Sequence, residues 1–179
     1  MIRRSPPIRF FSWLMRLAGR RAPAVSPAGP QDAPQFAALH AAAFQRGWSA
    51  EEFERLLIEP NVVADRAMAG SRLAGFVLSR LAADQAEILS IAVAVRDRRR
   101  GLAGKLLDVH LHRLTGYGTR SLFLEVDERN LAARRLYAGF GFAQVGVRKS
   151  YYAQAGEQAR AAGVAGAAGA ALVLRRDLA

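Results

Sequence analysis

One junction constrains this chain more than any other feature. The apolar run Ile88-Leu89-Ser90-Ile91-Ala92-Val93 passes through a short loop into Arg98-Arg99-Arg100-Gly101-Leu102-Ala103-Gly104-Lys105. A helical pattern follows, with Leu102, Leu106, Val109 and Leu114 on its inner side. A buried strand that feeds a helix this way needs a sheet to lie in, and it leaves a helix N-terminus beside concentrated positive charge. The first amides of a helix lack intrahelical acceptors and carry partial positive charge, which suits a phosphate. The small residues Gly101, Ala103 and Gly104 allow close approach to the backbone. The turn is not a Walker loop, because the Gly-Lys-Ser/Thr ending is absent. Nor is it a dinucleotide fingerprint, since Gly-x-Gly-x-x-Gly is missing. On these residues alone, a phosphate site and a solvated basic loop are equally good readings.

The rest of the pattern supplies the sheet. Phe36, Leu39, His40, Ala43 and Phe44 suit one amphipathic helix. Ser49-Ala50-Glu51-Glu52 has capping-box form, so a second helix should start there, with Phe53, Leu56 and Leu57 inward. Residues 61–68 and 72–81 read as strands about a Gly70-Ser71 turn, and residues 87–95 as a third. After the helix of residues 101–114 come a strand at 121–126, a short helix at 131–138, and strands at 142–149 and 170–175. This order is α+β with one sheet. Residues 153–169 are Ala/Gly-rich and read as a loop. Residues 22–34, with four prolines, read as a linker, so the domain is expected over residues 31–179 and an appendage over residues 1–30.

Charge sharpens the picture. The chain has 179 residues and a formal net charge of +11. Six arginines and no acid in residues 1–25 supply +6, and Arg96, Arg98, Arg99, Arg100 and Lys105 against Asp97 supply +4. Two local basic features, and not a diffusely basic surface, need explaining. In the appendage Phe10, Trp13, Leu14 and Leu17 share one helical face, but the segment is too short and too charged to span a bilayer. It reads as a tail, a helix packed on the domain, or a weak contact with a ribosome or an anionic membrane. The second cluster has no aromatics nearby for base stacking, so stable nucleic-acid binding is not expected. Cysteine is absent, which excludes a disulfide framework or a thiolate nucleophile and suits a reducing, cytoplasmic setting. His110 and His112 lie two apart on a helix, facing apart, so no metal is expected.

Further motifs complete a resemblance. Arg98-x-x-Gly101-x-Ala103 is similar to the pyrophosphate turn of the GNAT superfamily of N-acetyltransferases. Five more segments follow in order: Glu87 to Val93, Leu122-Phe123-Leu124-Glu125-Val126, Asn130 with Arg135-Leu136-Tyr137, Gly141-Phe142, and Tyr151-Tyr152. With Gly47-Trp48-Ser49 upstream, they resemble the RimI-type ribosomal-protein alanine N-acetyltransferases of that superfamily. The resemblance implies a single mixed, mostly antiparallel sheet with helices on both faces, and acetyl-CoA as co-substrate. It implies that Ile91, Ala92 and Val93 offer backbone to the pantetheine arm, and that Arg99, Arg100, Gly101, Leu102, Ala103 and Gly104 wrap the pyrophosphate. Asn130 would contact the cofactor, Glu125 would be the general base and Tyr137 the general acid. Trp48, Tyr151 and Tyr152 would border the acceptor, a ribosomal-protein N-terminus. The acidic residues Glu51, Glu52, Glu54 and Glu59 would suit a basic peptide, although acids in a first helical turn also stabilise the helix. A lysine or small amine as acceptor, or a non-catalytic module binding RNA or a membrane surface, are the competing readings. The basic appendage, Ala153 in place of the usual proline, and the long 153–169 loop depart from the family pattern.

Overall fold

The computed structural model describes residues 22–148 and 170–178. Seven strands form one sheet: β1 (Ala24–Pro27), β2 (Val62–Ala69), β3 (Arg72–Ala82), β4 (Gln85–Val93), β5 (Ser121–Asp127), β6 (Ala143–Arg148) and β7 (Ala171–Asp177). The helices are α1 (Ala33–Ala43), α2 (Ala50–Ile58), α3 (Leu102–Gly116) and α4 (Leu131–Gly139). The strand order is β1-β2-β3-β4-β5-β7-β6. The β4–β5 pair is parallel and every other pair antiparallel. The expected mixed sheet is present.

Each face of the sheet has its own apolar layer. On one, Phe36 of α1, Phe53 of α2 and Phe76 of β3 are fully buried, with Phe36 and Phe76 stacked at 4.2 Å. On the other, Leu102, Leu106, Leu107, Leu111 and Leu114 of α3 pack with Val77, Ile88, Leu122 and Leu124. Burial of each such side chain contributes about 1.5–3 kcal/mol. Val109, expected inward, is only half-buried, and Leu107, His110 and Leu111 take the inner positions instead.

The α2 start is as the sequence implies. Ser49 Oγ accepts from the Glu52 amide at 3.2 Å, and Glu52 Oε2 accepts from the Ser49 amide at 2.6 Å. The Pro-rich stretch behaves differently from a linker along part of its length. Residues 24–27 pair with β2 from Ala24↔Met68 to Pro27↔Asp65, adding an edge strand. Proline has no N–H for a central ladder but is tolerated on an edge, and Pro27 closes this one. Close packing at the sheet centre requires one glycine: a Cβ on Gly75 would lie 2.9 Å from the Ala92 carbonyl oxygen and 2.9 Å from Leu106.

Candidate active site

The site begins where two neighbouring strands part. The β3–β4 ladder runs from Ala82↔Gln85 to Gly75↔Val93. The β4–β5 ladder runs only from Gln85↔Ser121 to Ile88↔Leu124. Among the described residues, the far edge of β4 has no strand partner beyond Ile88, and the facing edge of β5 has none beyond Leu124. The cause is local. Leu78 pairs with Ser90 but Ser79 pairs with Ile88, so Leu89 is an extra residue. A bulge of this kind bends its strand and increases the twist. Ile91, Ala92 and Val93 lie on this opened stretch. The Val93 carbonyl is already taken, since it accepts from Arg98 Nε at 3.0 Å.

At the end of β4 a short 3-10 turn, Val95–Asp97, leads into the arginine run. Arg99 (φ 61°) and Gly101 (φ 76°) both adopt left-handed backbone. Alternation of this kind turns successive amides inward, forming an anion-binding nest. The first α3 amide to reach a carbonyl is that of Lys105, which donates to Gly101 at 3.0 Å. The amides of residues 99–104 make no hydrogen bond among the described residues. Consecutive open amides at a helix N-terminus suit an anion. A Cβ on Gly101 would meet nothing within 4 Å, so glycine serves there through its φ and not by making room. Asp97 holds the turn from below: it is 7% exposed and accepts from Arg72 Nη1 at 2.7 Å. That hydrogen bond keeps the Asp97 carboxyl below the usual carboxylate range. A cavity of about 280 Å³ abuts the turn, lined by Arg72, Arg100, Gly101, Lys105 and the incoming Ala22 and Pro23. Lys105 Nζ donates to the Pro23 carbonyl across it at 3.0 Å.

The other wall comes from β5 and α4. Asn130 caps α4, its Oδ1 accepting from the Ala133 amide at 3.1 Å, which leaves its NH₂ group for a ligand. Asp127 is held to about 2, chiefly by its hydrogen bonds from Arg129. The sequence puts Glu125 between two apolar neighbours, which suggests burial. The pleat reverses that: Leu122, Leu124 and Val126 face the core, and Glu125 points outward with its side chain 32% exposed. Its Oε1 lies 3.0 Å from Nη2 of Arg148, a partner that no local pattern reveals. Tyr137 on α4 is buried edge-to-face against Phe142, with ring centroids 5.6 Å apart. Burial pushes its phenol up to about 12. The turn, the opened edges, Glu125 and Asn130 thus gather at the carboxyl ends of the two parallel strands, where open sheets place their ligands.

The acceptor-side expectations meet a different outcome. Trp48 is half-buried and stacks on His40 at 4.9 Å, and its amide donates to His40 Nδ1 at 3.0 Å. Of the four acids, Glu51 pairs with Arg55, Glu59 pairs with Arg80, and Glu52 is spent on the capping box. Glu54 alone keeps no partner among the described residues. Tyr151 and Tyr152 lie outside the described residues, as does the proposed helix of the appendage.

The site thus sets splayed parallel strands beside a nest of amides left open among the described residues. The chain matches the acetyltransferase (GNAT) family over residues 33–142, more than half its length, and it belongs to that family. Among curated relatives, the ribosomal protein bS18-alanine N-acetyltransferase of Salmonella typhimurium (strain LT2) is 38% identical over 84 residues, 47% of this chain and 57% of that protein. The chain thus spans little more than half the length of that relative. Among solved structures, the ribosomal-protein-S18-alanine N-acetyltransferase from Escherichia coli superposes with a TM-score of 0.76 at 23% identity, covering 88% of this chain and 94% of that one. Arabidopsis thaliana NAA60 in complex with acetyl-CoA gives 0.70 at 19% identity, over 87% and 98% of the two chains. These two likenesses concern the fold. No helix among the described residues is long and apolar enough to cross a membrane.

Proposed function

We propose that this protein is an acetyl-CoA-dependent N-acetyltransferase that acetylates the N-terminal alanine of ribosomal protein bS18 in the cytoplasm. The observation that carries the reading is the coincidence, at one end of β4, of a strand edge and six amides that have no partner among the described residues. Support for the acceptor comes from the name of the Salmonella relative. The acidic face of α2 adds little, because Arg55 and Arg80 answer two of its acids and the capping box takes a third. Residues 1–21 are read as a basic appendage that touches ribosome or anionic membrane weakly.

The residues divide the work as follows. Bound acetyl-CoA supplies an activated acetyl thioester. The amides of residues 99–104 would hold its diphosphate, and the free edge of β4 at Ile91 and Ala92 would line up its arm. Holding the reactants together contributes most of the acceleration. Glu125, through water, takes the amine proton. It need not be a strong base: an α-amine has a reference pKa of about 7.7–8.0, so roughly a third is neutral near pH 7.5. A lysine at about 10.4 would be only about 0.1% neutral there. Arg148 must yield its hold on Glu125 as the ammonium arrives. Tyr137, raised to about 12, keeps its O–H at every working pH. Complete transfer to a thiolate near 8.5 would be uphill, so its role is to hydrogen-bond the departing sulfur as charge builds there.

The test is mass spectrometry of bS18 incubated with the protein and acetyl-CoA. Acetylation confined to the terminal alanine is expected, and Glu125→Gln should lower turnover by about a hundredfold, with most of the loss at low pH where little amine is neutral. Acetylation of lysines alone would move the acceptor. No transfer to any amine would end the enzymatic reading.

A further inference from the structure

Outside the site, the protein carries a polar chain in its driest layer. Asp65 of β2, Ser79 of β3 and His110 of α3 are each 0% exposed. Ser79 Oγ lies 2.7 Å from His110 Nε2, and His110 Nδ1 lies 2.7 Å from Asp65 Oδ2. The second Asp65 oxygen accepts from Arg113 Nη1, which also donates to the Ala64 carbonyl at 2.9 Å. The donor order follows. Asp65 only accepts, so Nδ1–H donates to it, and in the neutral imidazole Nε2 accepts from the Ser79 hydroxyl. The groups stand in the order of a serine nucleophile relay. With all three fully buried, no substrate can reach the hydroxyl, and a nucleophilic role is excluded.

What the chain ties together is informative. Ser79 follows the bulge directly and pairs with Ile88, the last β4 residue that β5 still holds. His110 stands eight residues into α3, about 12 Å along the axis from Leu102 and the diphosphate nest. Apart from these bonds, that of Arg113 included, the α3 contacts with the sheet are leucine packing, which is non-directional and permits small slides and rotations. Hydrogen bonds through a buried imidazole do not. We propose that Asp65–His110–Ser79 is a positioning device: it fixes the helix that carries the nest against β2 and β3, the latter paired with β4 at the bulge that opens the cleft, and so sets acetyl-CoA affinity. This rests on the acetyl-CoA reading above.

Calorimetric titration with acetyl-CoA, together with KM and kcat on a bS18 peptide, tests it in the full chain. Ser79→Ala should weaken acetyl-CoA binding about fivefold, the equivalent of one lost hydrogen bond, and His110→Gln on the order of tenfold or more. At saturating acetyl-CoA, kcat and the peptide KM should stay within about twofold of wild type, and Ser79→Thr, which keeps the hydroxyl, should recover most of the affinity. Should His110→Gln fail to fold, Ser79→Ala decides. Variants that melt earlier yet bind acetyl-CoA like wild type would overturn the proposal and leave an ordinary core network. Failure of wild type itself to bind acetyl-CoA would overturn the function reading first and this one with it.

Discussion

The start of α3 and the α1–α2 side of the sheet treat their polar groups in opposite ways. Around the start of α3, six consecutive amides have no partner among the described residues, and of the turn's own guanidiniums Arg98 alone is tied down, to the Val93 carbonyl. Around α1 and α2, several polar groups are answered from within: Ser49 by Glu52, Glu59 by Arg80, the Trp48 amide by His40. Open groups held rigidly at a surface have a use only when something else completes them; satisfied ones build scaffold. The contrast separates the half made to receive a ligand from the half made to be stable. It also explains why acidic residues on α2 are a poor guide to the acceptor.

Breaking the open half should have the largest consequence. Gly101→Val forces a β-branched residue to φ 76° and should weaken acetyl-CoA binding by up to about a hundredfold, read by calorimetry. Tight binding by that variant would remove the turn from the account. Next comes Tyr137, at the border of the two regimes. Below pH 10 its contribution to stability is constant. Above it, the unfolded chain ionises while the folded one holds its proton to about 12, so stability falls between those values, by about 2–3 kcal/mol. Tyr137→Phe should flatten that stretch of a stability–pH curve, and parallel curves for the two proteins would refute the burial argument.

The closed half gives smaller effects. Burial lowers the His40 pKa, so its stabilising contribution is present above its usual value of 6.5 and is lost as pH falls below it. Melting temperature should drop on acidification toward pH 5, and less so in His40→Asn, which keeps an acceptor for the Trp48 amide. Equal acid sensitivity in both would place the titration elsewhere. Least of all, Glu54→Gln should change the KM for a basic N-terminal peptide by no more than about twofold, in keeping with an exposed, unpaired charge. A large rise would restore the acidic face as a docking surface.

Local patterns carried much of this into the sequence. The Ser49–Glu52 capping box, the strand at residues 121–126 and the arginine turn each declare themselves within a few residues, and their limits shift by one or two positions in the fold. What was illegible is non-local or conformational. Edge strand β1 hid behind its prolines, which an edge tolerates. The insertion of β7 between β5 and β6, and the reach of Arg148 to Glu125, depend on pairings that no window of sequence contains. The bulge at Leu89 has no compositional mark, although it decides where the cleft opens. Asp97 did leave a trace, as the single acid inside the basic run, and Arg72 is the reason it is there.

Nitrogen-labelled protein titrated with acetyl-CoA offers the most direct view of the central claim, because each amide reports separately. The amides of residues 99–104 should shift together and saturate, accompanied by those of residues 89–93 on the free edge of β4. Saturating shifts elsewhere, with these two stretches unmoved, would contradict it.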